Sequence, residues 1–185
     1  MKQGVYGIAS LKLQAAVANG FPTSWATGSS SSVFEMKAIV KDSFSFNDSE
    51  ATETDIEVED MDNFYASLPS SLATKGFTVQ TYDMGEDTYK YLAGYEAGSG
   101  ANSGYFVEKP NTSIGNQAVQ IVTKALDDFP SKTFEWANMD VKVTRSGSIG
   151  KSGFPNFNIT FKQMALTSTS GVEIPGARWK LTGSL

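Results

Sequence analysis

The chain of 185 residues contains no cysteine and no histidine. Without cysteine it can form neither a disulfide framework nor a thiolate metal site. Without histidine, the Ser-His-Asp and Cys-His catalytic arrangements and histidine-based zinc sites are excluded as well. Carboxylates therefore remain the main candidates for chemistry, and we expect a protein that is not an enzyme and that needs no cofactor.

Long apolar runs are also missing. No window approaches the roughly 18 apolar residues of a membrane span. Gln3, Lys12 and Gln14 interrupt the apolar residues near the N-terminus, which argues against a signal peptide. The composition, 40% apolar and 19% charged, is typical of a globular protein. A net charge of −5 argues against general affinity for DNA or for anionic membranes.

The most distinctive segment that is present is acidic. Between Asp48 and Asp62 the chain places eight carboxylates and no positive charge. Side chains of a strand point alternately to its two faces, so the middle of this segment predicts a strand with one acidic face and one β-branched face suited to packing. The acidic face consists of Glu53, Asp55, Glu57 and Glu59, and the other face of Thr52, Thr54, Ile56 and Val58. Such a face suits a polyanion that passes without binding, or a basic surface on another subunit.

Three other interpretations of the acidic segment stay open at this point. A calcium site is one, although N-D-S-E-A-T-E lacks the glycine and the regular ligand spacing of an EF-hand. A glycosidase pair of carboxylates is another, although no aromatic sugar platform is spaced around it. The third is an ordinary solvated surface.

Strand signals dominate the rest of the chain. Alternating residues predict a long β-hairpin over about 33–60. A helix over about 84–97 is predicted by helical spacing, by a capping box formed by Asp83 and Glu86, and by Gly98 as the stop. Strands, one helix and more strands predict a mainly β protein: an antiparallel β-sandwich or barrel with one packed α-helix.

We expect a single domain over residues 1–185, with the polar loop 19–32 and the C-terminal arm 168–185 as peripheral segments. From Lys109 onward, 9 basic residues face 5 acidic ones. An acidic patch together with a mildly basic half of the chain suits self-association. Trp25 in the polar loop has no local reason to be exposed, so it is a candidate subunit contact.

The order of these elements resembles that of the tail tube protein (major tail protein) family of bacteriophages. That family is related to the inner-tube proteins of contractile injection systems and of type VI secretion. The resemblance covers about Lys2 to Leu166. It is carried by S-F-S-F-N-D-S-E-A-T-E-T-D-I-E-V-E-D leading into G-F-T-V-Q-T-Y, by the helix M-G-E-D-T-Y-K-Y-L-A-G-Y, and by the late hairpin that ends in F-N-I-T-F-K-Q-M-A-L.

The resemblance implies a structural subunit whose hexameric rings stack into a hollow tube, through which DNA passes without tight binding. It also implies tape-measure and tail terminator proteins as partners, no membrane partner, and a place in the virion tail, assembled in the host cytoplasm. The acidic face would then line the lumen, where basic residues would bind phosphates, or it would contact the neighbouring ring. The lumen is the favoured position.

Two alternatives accompany this hypothesis. The chain could be an inner-tube subunit of a contractile injection or type VI secretion system. It could instead be a surface β-sandwich binding module, in which Trp25, Trp136 and Trp179 form a ligand platform.

Overall fold

The structure is a computed structural model that describes residues 6–28, 32–56, 66–71, 73–108, 114–126, 129–150, 153–168 and 170–182. Strands make up most of this part of the chain, which contains one α-helix and one 3₁₀ turn at Gly100–Asn102. The mainly β class predicted from the sequence is therefore confirmed. The elements in chain order are β1 Tyr6–Ala15, β2 Phe34–Met36, β3 Ser45–Phe46, β4 Thr52–Ile56, β5 Ala66–Ser71, β6 Gly76–Thr81, α1 Glu86–Ala93, β7 Tyr95–Ala97, β8 Phe106–Glu108, β9 Asn116–Lys124, β10 Ser131–Ser146, β11 Asn156–Gln163 and β12 Ala177–Thr182.

Eight strands form one antiparallel sheet in the order β2-β1-β9-β10-β11-β6-β3, with β12 attached to β10. The longest strand, β10, has 16 residues and lies at the centre. On one side it pairs with β9. On the other side, Ser131 to Trp136 pair with β12, and Met139 to Ser146 pair with β11. One strand therefore fixes the positions of three neighbours.

The two edges of this sheet are joined by a very short stretch of chain. Met36 of β2 pairs with Leu11 at one edge, whereas Ile39 forms a bridge to Thr81 of β6 near the other edge. Three residues of extended chain span at most about 11 Å. The sheet must therefore curl until its edges are close, which gives it a barrel-like shape.

The core fills the concave side of the curled sheet. Along β6, buried and half-buried positions alternate, as the strand period requires. Phe77 of β6 stacks on Phe161 of β11 with ring centroids 4.5 Å apart, and its ring lies 4.9 Å from that of Trp136. The fully buried large side chains are Phe77, Phe157, Phe161, Leu11, Leu13, Met139, Ile159, Val79 and Val119.

Helix α1 packs against the sheet through side chains on one face. Thr88 and Leu92 are buried. The ring of Tyr91 stacks on Phe34 at 4.5 Å, and its hydroxyl donates a hydrogen bond of 2.6 Å to Gln117 Oε1. The helix is thus held to β2 and to the start of β9.

The helix is shorter than the predicted 84–97. Gly94 adopts a left-handed conformation, φ 65°, and its N–H donates to the Tyr89 carbonyl, so the helix ends there rather than at Gly98. Tyr95, which lies within the predicted helix, belongs instead to β7.

The predicted capping box is also wrong. Gly85 is the N-cap and makes no side-chain cap. The Asp83 carboxylate instead accepts bonds from the Gly85 N–H at 3.0 Å and from the Thr88 hydroxyl at 2.6 Å. The aspartate therefore organises the first turn without Glu86.

The predicted hairpin over 33–60 does not form, although its strands exist. Ala38 and Asp42 have φ angles of 46° and 59°, which a continuous strand cannot contain. These residues turn the chain, so β2 pairs with β1, β3 with β6, and β4 with β5. The pairing of β10 with β11 is the late hairpin that the sequence predicts.

Gly76 offers a test of the contact between β6 and β11. A Cβ at this position would lie 2.2 Å from the backbone oxygen of Phe161. We expect Gly76→Ala to lower the free energy of unfolding by about 2 kcal/mol, because one strand must shift away from the other. Gly28→Ala is the matched control, since a Cβ there meets no atom within 4 Å. Equal urea midpoints for the two variants would contradict this packing.

Tyr91 predicts a loss of stability at high pH. Burial raises its pKa to about 12, whereas an unfolded tyrosine has a pKa of about 10. Between these values the unfolded chain loses the proton first. The contribution of Tyr91 is therefore complete below pH 10 and is lost as the pH rises towards 12. Denaturant titrations at pH 9 and 11 should show a smaller loss for Tyr91→Phe than for the wild type, while Tyr105→Phe, at an exposed residue, should follow the wild type.

Candidate assembly surfaces

Strands β4 and β5 form a separate two-stranded antiparallel sheet, here called the acidic ribbon. Glu53 pairs with Pro69, and Asp55 pairs with Ser67. The Ser67 hydroxyl donates a hydrogen bond of 2.8 Å to Glu53 Oε2. The structure thus places two of the four predicted acidic residues on a strand, as alternating neighbours. The other two, Glu57 and Glu59, lie outside the described residues.

The acidic ribbon continues the pairing of β3 with β6. Phe46 pairs with Phe77, and Ser49 and Thr74 exchange two backbone hydrogen bonds of 2.8 and 3.0 Å. The Asp48 carboxylate accepts a hydrogen bond of 3.1 Å from the Gly76 N–H. The segment N-D-S-E, which lies inside the predicted hairpin 33–60, therefore runs on as extended chain into β4.

The faces of the acidic ribbon are exposed in the single chain. All five residues of β4 are exposed, so the expected packing of Thr52, Thr54 and Ile56 does not occur within this molecule. On β5, Leu68 is 54% exposed and pairs with Thr54. The acidic ribbon thus presents both carboxylates and apolar side chains to its surroundings.

Trp25, the predicted subunit contact, is half-buried. Its carbonyl accepts a hydrogen bond of 3.1 Å from Lys12 Nζ, and the neighbouring Ser24 carbonyl accepts one of 2.9 Å from Gln14 Nε2. These bonds hold the polar loop against β1. The indole Nε1 is buried and has no hydrogen-bond partner among the described residues. A role of Trp25 at a subunit contact stays a prediction.

The other two tryptophans differ in their surroundings. Trp136 lies in the core, whereas Trp179 on β12 is 60% exposed, with Lys132 Nζ 5.3 Å from its ring centroid. Beside it, Arg178 Nε donates to the buried Glu135 carboxylate at 2.6 Å, which fastens β12 to β10. Because Trp136 is buried, the three tryptophans do not form one exposed platform.

An apolar cleft of about 610 Å³ lies between the segment 39–46 and the sheet, at the start of β1, the end of β9 and the first half of β10. Its apolar walls are formed by Ile8, Ile39, Phe44, Phe46, Ile121, Phe134 and Trp136, and its polar positions by Lys41, Asp42, Thr123 and Lys124. Sequence analysis missed this apolar cleft, because it arises where Ala38 and Asp42 turn the chain away from a continuous strand.

Strands β7 and β8 form a second small ribbon, fixed by a three-residue clamp. Arg145 on β10 donates to Glu108 at 3.0 and 3.1 Å and to the Tyr95 hydroxyl at 2.8 Å. Tyr95 in turn donates to Glu108 at 2.7 Å. This hydrogen bond lowers the pKa of Glu108 and raises that of Tyr95. The clamp fastens the exposed aromatic residues Tyr105 and Phe106 next to the β10–β11 hairpin.

Within the described residues, no group of three or more acidic side chains is positioned to hold a metal ion. In the same part of the chain, no helix is long and apolar enough to cross a membrane.

The clamp predicts a local effect of mutation. Arg145→Ala removes three hydrogen bonds between β10 and the ribbon of β7 and β8, so we expect faster hydrogen exchange at the backbone amides of these two strands. Exchange in β9 should change little. Lys142→Ala, at an exposed position of the same strand, is the matched control. Unchanged exchange in Arg145→Ala would show that the clamp does not hold the small ribbon.

Comparison with known proteins gives little beyond this geometry. No protein-family model matches the chain, and no curated protein matches it. It is similar to a solved structure described as that of a type six secretion system protein, with 13% identity, 91% of each chain covered and a TM-score of 0.32. A TM-score of 0.32 is too low to indicate a shared function.

Proposed function

We propose that this chain is a non-enzymatic structural subunit whose hexameric rings stack into the hollow tube of a phage tail, through which DNA passes. The acidic ribbon is the observation that carries the proposal. It extends from the main sheet with both faces exposed. A two-stranded sheet is marginally stable alone in water, so contact with another chain would stabilise it.

The edges of the main sheet support self-association. In the described part of the chain, β2 pairs only with β1, and β12 pairs only with β10. Each strand thus presents a row of backbone N–H and C=O groups on its outer side, and such edges are templates for pairing with another chain. In a ring, neighbouring subunits would satisfy these groups.

The charge of the acidic ribbon is compatible with the passage of DNA. Glu53 and Asp55 are exposed and have no cationic partner among the described residues. Phosphates bind to lysine and arginine, and a surface of carboxylates does not retain them. From the family resemblance, the proposal also includes tape-measure and tail terminator proteins as partners. It places the assembled protein in the virion tail.

The proposal predicts assembly that depends on the acidic ribbon. We expect purified wild-type protein to form rings or filaments at high concentration, observed by electron microscopy and analytical ultracentrifugation. A variant with residues 50–73 replaced by Asn-Gly should stay monomeric, because it lacks the acidic ribbon. Ser49 and Thr74 form a hydrogen-bonded antiparallel pair, which a two-residue turn can connect.

A comparison of thermal unfolding separates loss of assembly from loss of folding. The shortened variant keeps the main sheet and should unfold cooperatively, as the wild type does. A wild-type protein that is monomeric at every concentration and salt would overturn the proposed function. A shortened variant that assembles as the wild type does would show that the acidic ribbon is not the assembly surface.

A further inference from the structure

We infer that the acidic ribbon of one copy docks in the apolar cleft of a second copy of this chain. This inference rests on the proposed function, since it names the surface that receives the acidic ribbon during self-assembly. It places the acidic ribbon at the contact between copies, the second of the two positions that the sequence predicts, and not on the lumen wall. It is carried by three observations: the direction of the acidic ribbon, its apolar residues and its unpaired charges.

The direction of the acidic ribbon excludes its own apolar cleft as the receiving surface. Phe46 lies on the cleft wall and also at the base of the ribbon, where it pairs with Phe77. From the bridge between Ser49 and Thr74, the pairing continues outward to Ile56. Seven residues of strand extend by about 23 Å. The far end of the ribbon therefore points away from the cleft of the same molecule.

The apolar side chains of the two surfaces match each other. Ile56 and Leu68 are exposed on the acidic ribbon, and Phe46 is 60% exposed in the apolar cleft. Removing these side chains from water favours association roughly in proportion to the apolar area that is buried. Leu68 pairs with Thr54, so Ile56 and Leu68 share one face of the acidic ribbon, opposite to Glu53 and Asp55. The inferred docking therefore sets the apolar face of the ribbon against the apolar wall of the cleft and the acidic face towards the lysines of the cleft.

The charges of the two surfaces are also complementary. Lys41 and Lys124 lie at the cleft, against one carboxylate there, Asp42. Neither lysine forms an ion pair with a described residue, and Asp55 on the acidic ribbon also lacks one. Opposite charges on two exposed surfaces accelerate encounter and fix the orientation of docking. Their attraction weakens as salt is added.

The docking has a consequence for the form of the assembly. The protrusion and the cleft are different surfaces of the same chain, so the contact is heterologous. Heterologous contacts produce closed rings or open filaments rather than closed dimers. After one docking, the cleft of the first copy and the acidic ribbon of the second are still free, so further copies can be added at both ends.

Disulfide cross-linking tests the inference directly, because the chain has no cysteine of its own. One variant carries Leu68→Cys and a size tag, and a second carries Phe46→Cys. After mixing, assembly and mild oxidation, we expect a cross-linked species of the combined size on a non-reducing gel. The control mixture pairs the tagged Leu68→Cys variant with Ser99→Cys, an exposed position away from the cleft. Its yield should be at least about tenfold lower.

Charge reversal provides a second measurement. Lys41→Glu with Lys124→Glu should raise the concentration at which assembly begins by about tenfold, because the cleft then repels the acidic ribbon. Adding Glu53→Lys and Asp55→Lys to the same chain should restore assembly to within about threefold of the wild type. If the two lysines only stabilised the fold of their own chain, the added substitutions on the acidic ribbon would not restore assembly.

The outcomes separate this inference from the proposed function. If rings or filaments form but the Leu68 and Phe46 variants cross-link no more than the control, the docking site is wrong and the proposed function remains. If no assembly forms under any condition, both fail. Specific cross-linking together with charge rescue supports the docking.

Discussion

The hydrogen bonding of β10 is the constraint on which the rest of the structure depends. This strand bonds to β9 along one side and to two successive strands along the other. The change of partner occurs where Ala137 N–H donates to the Gly176 carbonyl at 2.9 Å and the Asn138 carbonyl accepts from Met164 N–H at 3.0 Å. Because β12 occupies only the first half of β10, β11 can pair with the second half, and β6 pairs with the other side of β11. This division of β10 between two partners determines the order of the strands, and with it which strands lie at the edges of the sheet.

Strands at the periphery of the molecule differ from those at its centre in how their two faces are buried. In the core, apolar residues alternate along each strand and meet across the barrel. In the acidic ribbon, alternation persists, but both faces meet water. The same local pattern thus serves a buried strand in one place and an exposed one in another. What differs is whether one face of the strand packs against other side chains of the core, as it does in β6.

Local periodicity was sufficient to predict the strand content, the late hairpin and the strand character of the acidic segment. It failed over 33–60, because the positive φ angle of Ala38 has no signal in residue type, and the turn preference of Asp42 stands within an otherwise alternating pattern. The early end of the helix did have a signal, since Gly94 is a typical C-terminal residue. The helical spacing of residues on both sides of Gly94 nevertheless predicted a longer helix. Choice of strand partner depends on contacts far apart in sequence, and for that reason the apolar cleft could not be predicted. Of the candidate site residues, the structure places Glu53 and Asp55 on an exposed strand and Trp25 half-buried.

The continuity of the acidic ribbon with β6 has a mechanical consequence. A pull on the ribbon along its length passes into β6, whose six residues bond side by side to β11. These bonds lie across the direction of the pull, so they resist it together rather than opening one after another. Load then passes from β11 to β10 through a ladder of the same kind. The protrusion is thus anchored in shear, the geometry in which a sheet resists force best.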